Sequence, residues 1–302
     1  MKTGIIGAGA LGSLFAHYFH ENLIDFAIYE KNHKIAEEIL DKGLILTKGE
    51  TTRIIKPSIS SSPEVLADAD IVFLFVKSYS TAEALENVSV HLKSNSIVVS
   101  LQNGLGNIEE IKNFIPADRI VYGSTTIGAA KSSPVEVISG GTGVINIGGA
   151  NSGNVQKVHH LLNSAGMNSY TVEDPDYYLW HKAVINAGIN PIAAILGIKN
   201  GEILTNSCAS KLQENIVMEV VKSAAAENIN MNYEEMLKTT RDVCEKTSLN
   251  RCSMLQDLEN RRETEIESIN GKIMEYADKN GIELPYNRSL YLLIKSMETI
   301  NR

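Results

Sequence analysis

Gly7-Ala8-Gly9-Ala10-Leu11-Gly12 restricts the fold of this chain more than any other segment. The apolar residues 3–6 lead into it, and a helical pattern over about 10–21 leads out. Strand, glycine turn and helix in that order is the context in which this spacing cradles a dinucleotide. Gly7 permits a tight turn. Gly9 lets the backbone approach a pyrophosphate, Gly12 lets the helix pack close to the sheet, and the helix N-terminus faces the anion. Ala8, Ala10 and Leu11 complete the loop. The bland alternative is a glycine turn kept only for packing.

The next residues extend the pattern. Strands are expected at 25–29, 71–76, 96–101 and 119–122, the second of these as an apolar run buried on both faces. Alternation of strands with helices implies a parallel sheet with helical crossovers. Residues 135–147 hold Gly140-Gly141-Thr142-Gly143 between β-rich runs and read as an antiparallel hairpin. A helix near 154–164 and a strand near 169–172 close this part. Past Glu173-Asp174-Pro175-Asp176 the strand signal disappears, and amphipathic runs at 177–189, 207–227, 233–247, 259–280 and 287–300 predict helices, the last bounded by Pro285. The expected organisation is an α/β Rossmann-type dinucleotide-binding domain over 1–172 followed by an all-α domain over 173–302.

The bulk properties narrow the partners. A net charge of −8 argues against a nucleic-acid surface, which needs a basic patch. Cys208, Cys244 and Cys252 have neither disulfide nor zinc-site spacing, and the histidines form no HExxH, so no metal is expected. No run is apolar enough to span a membrane. Met1-Lys2 and the apolar run after it resemble a short signal peptide, but three spaced glycines followed by His17 and His20 suit a first strand and helix better. The location expected is cytoplasmic. The apolar helix at 207–227 is a candidate surface for a homodimer.

Three constellations carry chemistry. Lys182, Asn186 and Asn190 stand at i, i+4 and i+8 in a helix otherwise filled by Ala183, Val184, Ile185 and Ala187. A desolvated ammonium holds its proton less tightly, which suits a proton donor near neutral pH. The alternative is a lysine that snorkels to solvent. Pro191 should kink or end this helix, because it disfavours α geometry at Asn190 and clashes with the carbonyl of Ala187. Asn103, in Gln102-Asn103-Gly104, follows a predicted strand at the carboxyl edge of the sheet. It either holds nicotinamide or substrate, or serves as a left-handed turn residue. Ser253 with Gln256 reads as a capping box, and a serine at a helix N-terminus is also placed to meet a carboxylate. Further on, Glu265 borders the buried stripe of Ile266, Ile269 and Ile273 and is the acid expected to face inward. For the nucleotide, Glu30 at the end of the second strand suits the ribose hydroxyls of NAD, whereas Lys31 and Lys77 suit the 2′-phosphate of NADP. Two lysines favour NADP, with NAD kept open by Glu30.

Taken together, Gly7 to Gly12, Val76-Lys77, Gln102-Asn103-Gly104, Trp180-His181-Lys182 with Asn186 and Asn190, and Ser253 to Asp257 through Glu265 and Ile269-Asn270-Gly271 resemble the ketopantoate reductase family, in its order and over nearly the whole chain. The resemblance implies a fold like that of 6-phosphogluconate dehydrogenase, with the site in a cleft. It implies reduction of 2-dehydropantoate (ketopantoate) to (R)-pantoate by NADPH, on the route to pantothenate and coenzyme A. By the same resemblance Lys182 matches the catalytic lysine and Glu265 the assisting glutamate. Asn103, Asn186, Asn190 and Ser253 match substrate or nicotinamide contacts, and Lys31 and Lys77 match the positions that meet the 2′-phosphate. Glu30 departs from the pattern beside such a phosphate site. A reductase of another 2-keto acid, or a non-catalytic nucleotide-binding sensor, are the rival readings.

Overall fold

A computed structural model describes residues 1–300. The chain forms two compact units. One comprises Met1–Gln102 and Asn107–Pro175, the other Asn103–Gly106 and the described residues from Asp176 onward. The short segment that carries Asn103 therefore packs with the C-terminal unit although it lies within the N-terminal stretch of sequence.

The first unit runs β1 (Thr3–Ile6), α1 (Ala10–Glu21), β2 (Phe26–Tyr29), α2 (His33–Lys42), β3 (Leu44–Lys48), β4 (Thr51–Ile55), β5 (Ser58–Ser60), β6 (Ile71–Leu74), α3 (Thr81–Val88), β7 (Ile97–Ser100), α4 (Asn107–Lys112), β8 (Ile120–Thr125), β9 (Ala129–Lys131), β10 (Glu136–Ser139), β11 (Val144–Gly148), α5 (Ser152–Ser164) and β12 (Asn168–Thr171). Eight strands form the main sheet in the order β12-β11-β8-β7-β6-β1-β2-β5. Every pair in it is parallel except β11 with β8. β1, β2, β6 and β7 are fully buried four-residue strands, as residues covered on both faces must be. Phe15 and Phe19 of α1 pack against Phe73 of β6 and anchor the helix on the sheet.

The hairpin expected over 135–147 does not form. β10 joins a second sheet of order β4-β3-β10-β9, whereas β11 returns to the main sheet beside β8. The glycines at 140–143 thus carry the chain from one sheet to the other. Gly140 lies against the backbone of Gly128, where an added Cβ would come within 2.9 Å of the Gly128 carbonyl oxygen. Residue spacing alone does not distinguish a two-strand turn from a crossing between sheets.

The second unit is helical: α6 (Pro175–Leu196), α7 (Glu202–Thr205), α8 (Ser207–Ala226), α9 (Tyr233–Lys246), α10 (Ser253–Glu259), α11 (Lys272–Lys279) and α12 (Pro285–Ile300). α6 continues through Pro191 to Leu196 and does not end there. An internal proline costs roughly 3 kcal/mol. Beyond it Ile192, Ala193 and Ala194 are buried in the core of this unit, and their burial offsets that cost. The single helix expected over 259–280 is also broken. A π-helical turn at Glu267–Gly271 precedes α11, and residues 262–264 are irregular. The apolar face of α8 (Ile216, Val217, Val220, Ala224) is occupied by this unit's own core, which removes the reason for reading it as a dimer surface.

Candidate active site

The glycine turn has the geometry that a nucleotide cradle needs. Gly7 has φ +93°, the left-handed region that favours glycine. A Cβ on Gly12 would come within 2.0 Å of the Gly7 carbonyl oxygen, so only glycine lets α1 start this close to β1. A Cβ on Gly9 would meet only the Phe75 carbonyl oxygen, at 3.6 Å, so the backbone there is open to a ligand. Beside the turn lies a concavity of about 220 Å³, lined by Gly7, Gly9, Glu30, Lys31, Lys77 and Glu83 among others. These features fit a dinucleotide.

The acidic residue that conflicted with a phosphate site in the sequence has local work here. One Glu30 carboxylate oxygen accepts the Ala8 N–H at 2.9 Å, and the other accepts the Asn32 N–H at 3.0 Å. Glu30 therefore fastens the glycine loop to the end of β2. Lys31 is paired: its Nζ donates to Glu83 Oε2 at 2.6 Å. Glu83 stands in the first turn of α3 and did not figure among the expected site residues. Gln102 is buried, and its Nε2 donates to the Val76 carbonyl and to Thr81 Oγ1, both at 2.9 Å. That bridge holds the chain at the end of β6, next to Lys77.

In the second unit, α6 carries Lys182, Asn186 and Asn190 on successive turns as the spacing predicts. Lys182 and Asn186 are half-buried and Asn190 is buried. Burial pushes the Lys182 ammonium down to about 8 from its usual 10.5, while the negative charge of Glu265 pulls it back up. Glu265 is buried, and its Oε2 accepts from Asn103 Nδ2 at 3.3 Å. Lys182, Glu265 and Asn103, which are far apart in sequence, are therefore neighbours in one polar cluster.

Two supports of Glu265 were not anticipated. The π-helical turn offers the Ser268 carbonyl, which accepts the Leu105 N–H at 2.7 Å, while Ser268 Oγ donates to the Glu265 carbonyl at 3.2 Å. Gly104, with φ +85°, presses on this turn, and a Cβ there would come within 2.5 Å of the Ser268 carbonyl oxygen. Gly104, and not Asn103, takes the left-handed conformation, so the left-handed turn role expected for Asn103 is not observed. On the other side Glu298 Oε1 accepts both the Thr264 N–H at 2.8 Å and its hydroxyl at 2.7 Å. A sequence signal for Glu298 existed, since it continues the buried stripe of Leu290 and Ile294 on α12.

Ser253 is the first residue of α10 and is exposed. The expected capping box is not made. Cys252 is the N-cap instead, its Sγ accepting the Leu255 N–H, and Gln256 Nε2 donates to the Arg251 carbonyl. The Cys252 thiol also donates to the Asn190 carbonyl at 3.4 Å, tying the start of α10 to α6. The Ser253 hydroxyl is thereby left out of the cap. Among the described residues no group of three or more His, Cys, Asp or Glu could hold a metal ion, and no helix is long and apolar enough to cross a membrane.

Comparison with known proteins gives consistent matches. Residues 3–152 match the family described as "Ketopantoate reductase PanE/ApbA", and residues 175–298 match "Ketopantoate reductase PanE/ApbA C terminal". A "2-dehydropantoate 2-reductase" of Archaeoglobus fulgidus is 36% identical over 309 residues, covering 99% of this chain and 98% of that protein. One of the same name from Halobacterium salinarum is 33% identical over 301 residues, covering 98% of each. A solved structure of D-mandelate dehydrogenase with NADH and anilino(oxo)acetate superposes with a TM-score of 0.95 at 28% identity, covering 100% of this chain and 99% of the other.

Proposed function

Because the chain belongs to the ketopantoate reductase family, we propose that it reduces 2-dehydropantoate to pantoate with a nicotinamide cofactor. The observation that carries this reading is the Lys182 ammonium, softened by burial to about 8 and set beside the Glu265 carboxylate. When bound, the reduced nicotinamide supplies hydride to the keto carbon. Lys182 hydrogen-bonds the keto oxygen, stabilises the negative charge that builds there and gives it a proton. Glu265 holds the Lys182 ammonium in place, and Asn103, bonded to Glu265, offers its amide to substrate or nicotinamide. The exposed Ser253 hydroxyl at the start of α10 anchors the substrate carboxylate. Asn186 and Asn190 receive the terminal hydroxyl with neutral donors and acceptors, and an analogue lacking that hydroxyl leaves them unpaired.

Gly7, Ala8, Gly9, Ala10, Leu11 and Gly12 hold the pyrophosphate, while Glu30 keeps the loop in shape. Lys31 and Lys77 on the rim of the adjoining concavity make NADPH a reductant, and Glu30 makes NADH one as well.

Oxidation of NADPH and NADH, each measured with ketopantoate and with a 2-keto acid lacking the hydroxyl, tests the reading. Higher kcat/KM for ketopantoate is expected with either cofactor. Higher kcat/KM for an aromatic 2-keto acid would favour the second reading, a reductase of another 2-keto acid. That reading is supported by the likeness to D-mandelate dehydrogenase. No ketoacid-dependent oxidation at all would overturn both.

A further inference from the structure

The rim of the nucleotide concavity carries two carboxylates and two ammonium groups: Glu30, Glu83, Lys31 and Lys77. Their engagements differ. Glu30 is held by two backbone N–H groups. Lys31 Nζ lies 2.6 Å from Glu83 Oε2, with the two side chains 54% and 55% exposed. Tyr29, at the end of β2, lines the same concavity as Lys31 and Glu83. The pair is therefore part of the concavity's wall and not a remote surface contact.

We propose that Glu83 sets the discrimination between 2′-phosphorylated and 2′-hydroxyl adenosine by occupying the Lys31 ammonium. This rests on the reading of the first unit as a nicotinamide nucleotide site. A 2′-phosphate gains from Lys31 only by taking it away from Glu83, and it then brings close to two negative charges up to a carboxylate. A 2′-hydroxyl has no such competitor. The carboxylate of Glu30 retains acceptor capacity beyond its two backbone partners, and a ribose hydroxyl can donate to it. Residue 31 alone is thus an incomplete predictor of cofactor choice here, because the residue that governs its charge stands on α3.

Glu83→Gln keeps the size and a hydrogen-bonding head while removing the charge. Exposed ion pairs are weak, so the competition is modest, and relief of repulsion adds to it. The combined expectation is that the affinity of the full-length protein for 2′,5′-ADP rises about 3- to 20-fold in low salt, while that for 5′-AMP changes less than about twofold. Isothermal titration with these two probes reads the nucleotide site without any turnover. The gain should shrink as ionic strength rises. In Glu83→Gln/Lys31→Gln it should vanish, because the cation it liberates is gone. The kcat/KM ratio of NADPH to NADH should move in the same direction. An unchanged ratio of the two affinities in Glu83→Gln, or a gain that survives loss of Lys31, would overturn the proposal. Failure to reduce ketopantoate with intact nucleotide discrimination would instead count against the proposed reaction. Glu83 is exposed and sits on a helix surface, so misfolding does not confound the variant.

Discussion

Lys182→Met should make the C-terminal unit more stable while removing its activity. The ammonium's fall from 10.5 to about 8 means that folding penalises its charged form. At 1.36 kcal/mol per pH unit this amounts to about 3 kcal/mol, and the attraction of Glu265 is already contained in it. Part of the side chain reaches solvent, so screening reduces the expected gain to about 1–3 kcal/mol. The sign follows from proton linkage. Between about pH 8 and 10.5 the unfolded chain keeps a proton that the folded protein has lost, so wild-type stability rises with pH through that window. The penalty is complete below about pH 8 and gone above 10.5. The variant's advantage should therefore be largest at pH 7, about 3–8 °C in midpoint for a gain of this size, and should disappear near pH 10.5. The single tryptophan of the chain, Trp180, is buried two residues away on α6, and its fluorescence reports the unfolding of this unit in particular. At the same time kcat should fall roughly 10²–10⁴-fold, the usual size of a general-acid contribution. A variant that melts below wild type at pH 7, or an advantage that persists above pH 10.5, would refute the claim that burial and not pairing dominates at Lys182.

Other outcomes follow from the same geometry. Turnover should hold steady on the acid side and decline as pH rises through about 8, and Glu265→Gln should move that decline to lower pH, since Glu265 favours the protonated amine; a kcat profile unmoved by the substitution would separate the two residues. Gly12→Ala should abolish measurable binding of NAD⁺ and NADP⁺ in titrations, because its Cβ would fall 2.0 Å from the Gly7 carbonyl oxygen; retained binding would mean that the turn can relax. Gly104→Ala, at φ +85° and 2.5 Å from the Ser268 carbonyl oxygen, should lower the Trp180 unfolding midpoint by an amount equivalent to about 2–4 kcal/mol. Glu298→Ala leaves the buried Thr264 N–H and hydroxyl without their acceptor and should cost about 2–4 kcal/mol while reducing kcat through Glu265. Stability lost with kcat intact would show that Glu298 supports the fold alone.

Much of this molecule was legible along the chain because its signals are local. The glycine turn with its flanking strand and helix, and the i, i+4, i+8 spacing of Lys182, Asn186 and Asn190, depend on backbone geometry over about a dozen residues. Such patterns hold whatever else the chain does, and they sufficed to assign the α/β unit, the helical unit and the face of α6. Tertiary structure decided what meets that face. Glu265 was expected to face inward from its own stripe, but its bond to Asn103, its seat before a π-helical turn and its support by Glu298 through Thr264 come from separate segments. Helix periodicity over 259–280 even pointed to an unbroken helix, which packing overrode. Likewise Lys31 and Glu83 are 52 residues apart, and no spacing rule pairs them. Lys182 shows the division most clearly. Its place on a mostly apolar helix is written in the residues around it, whereas the depth of its burial and the carboxylate beside it, which together set its proton affinity, exist only once distant elements have packed.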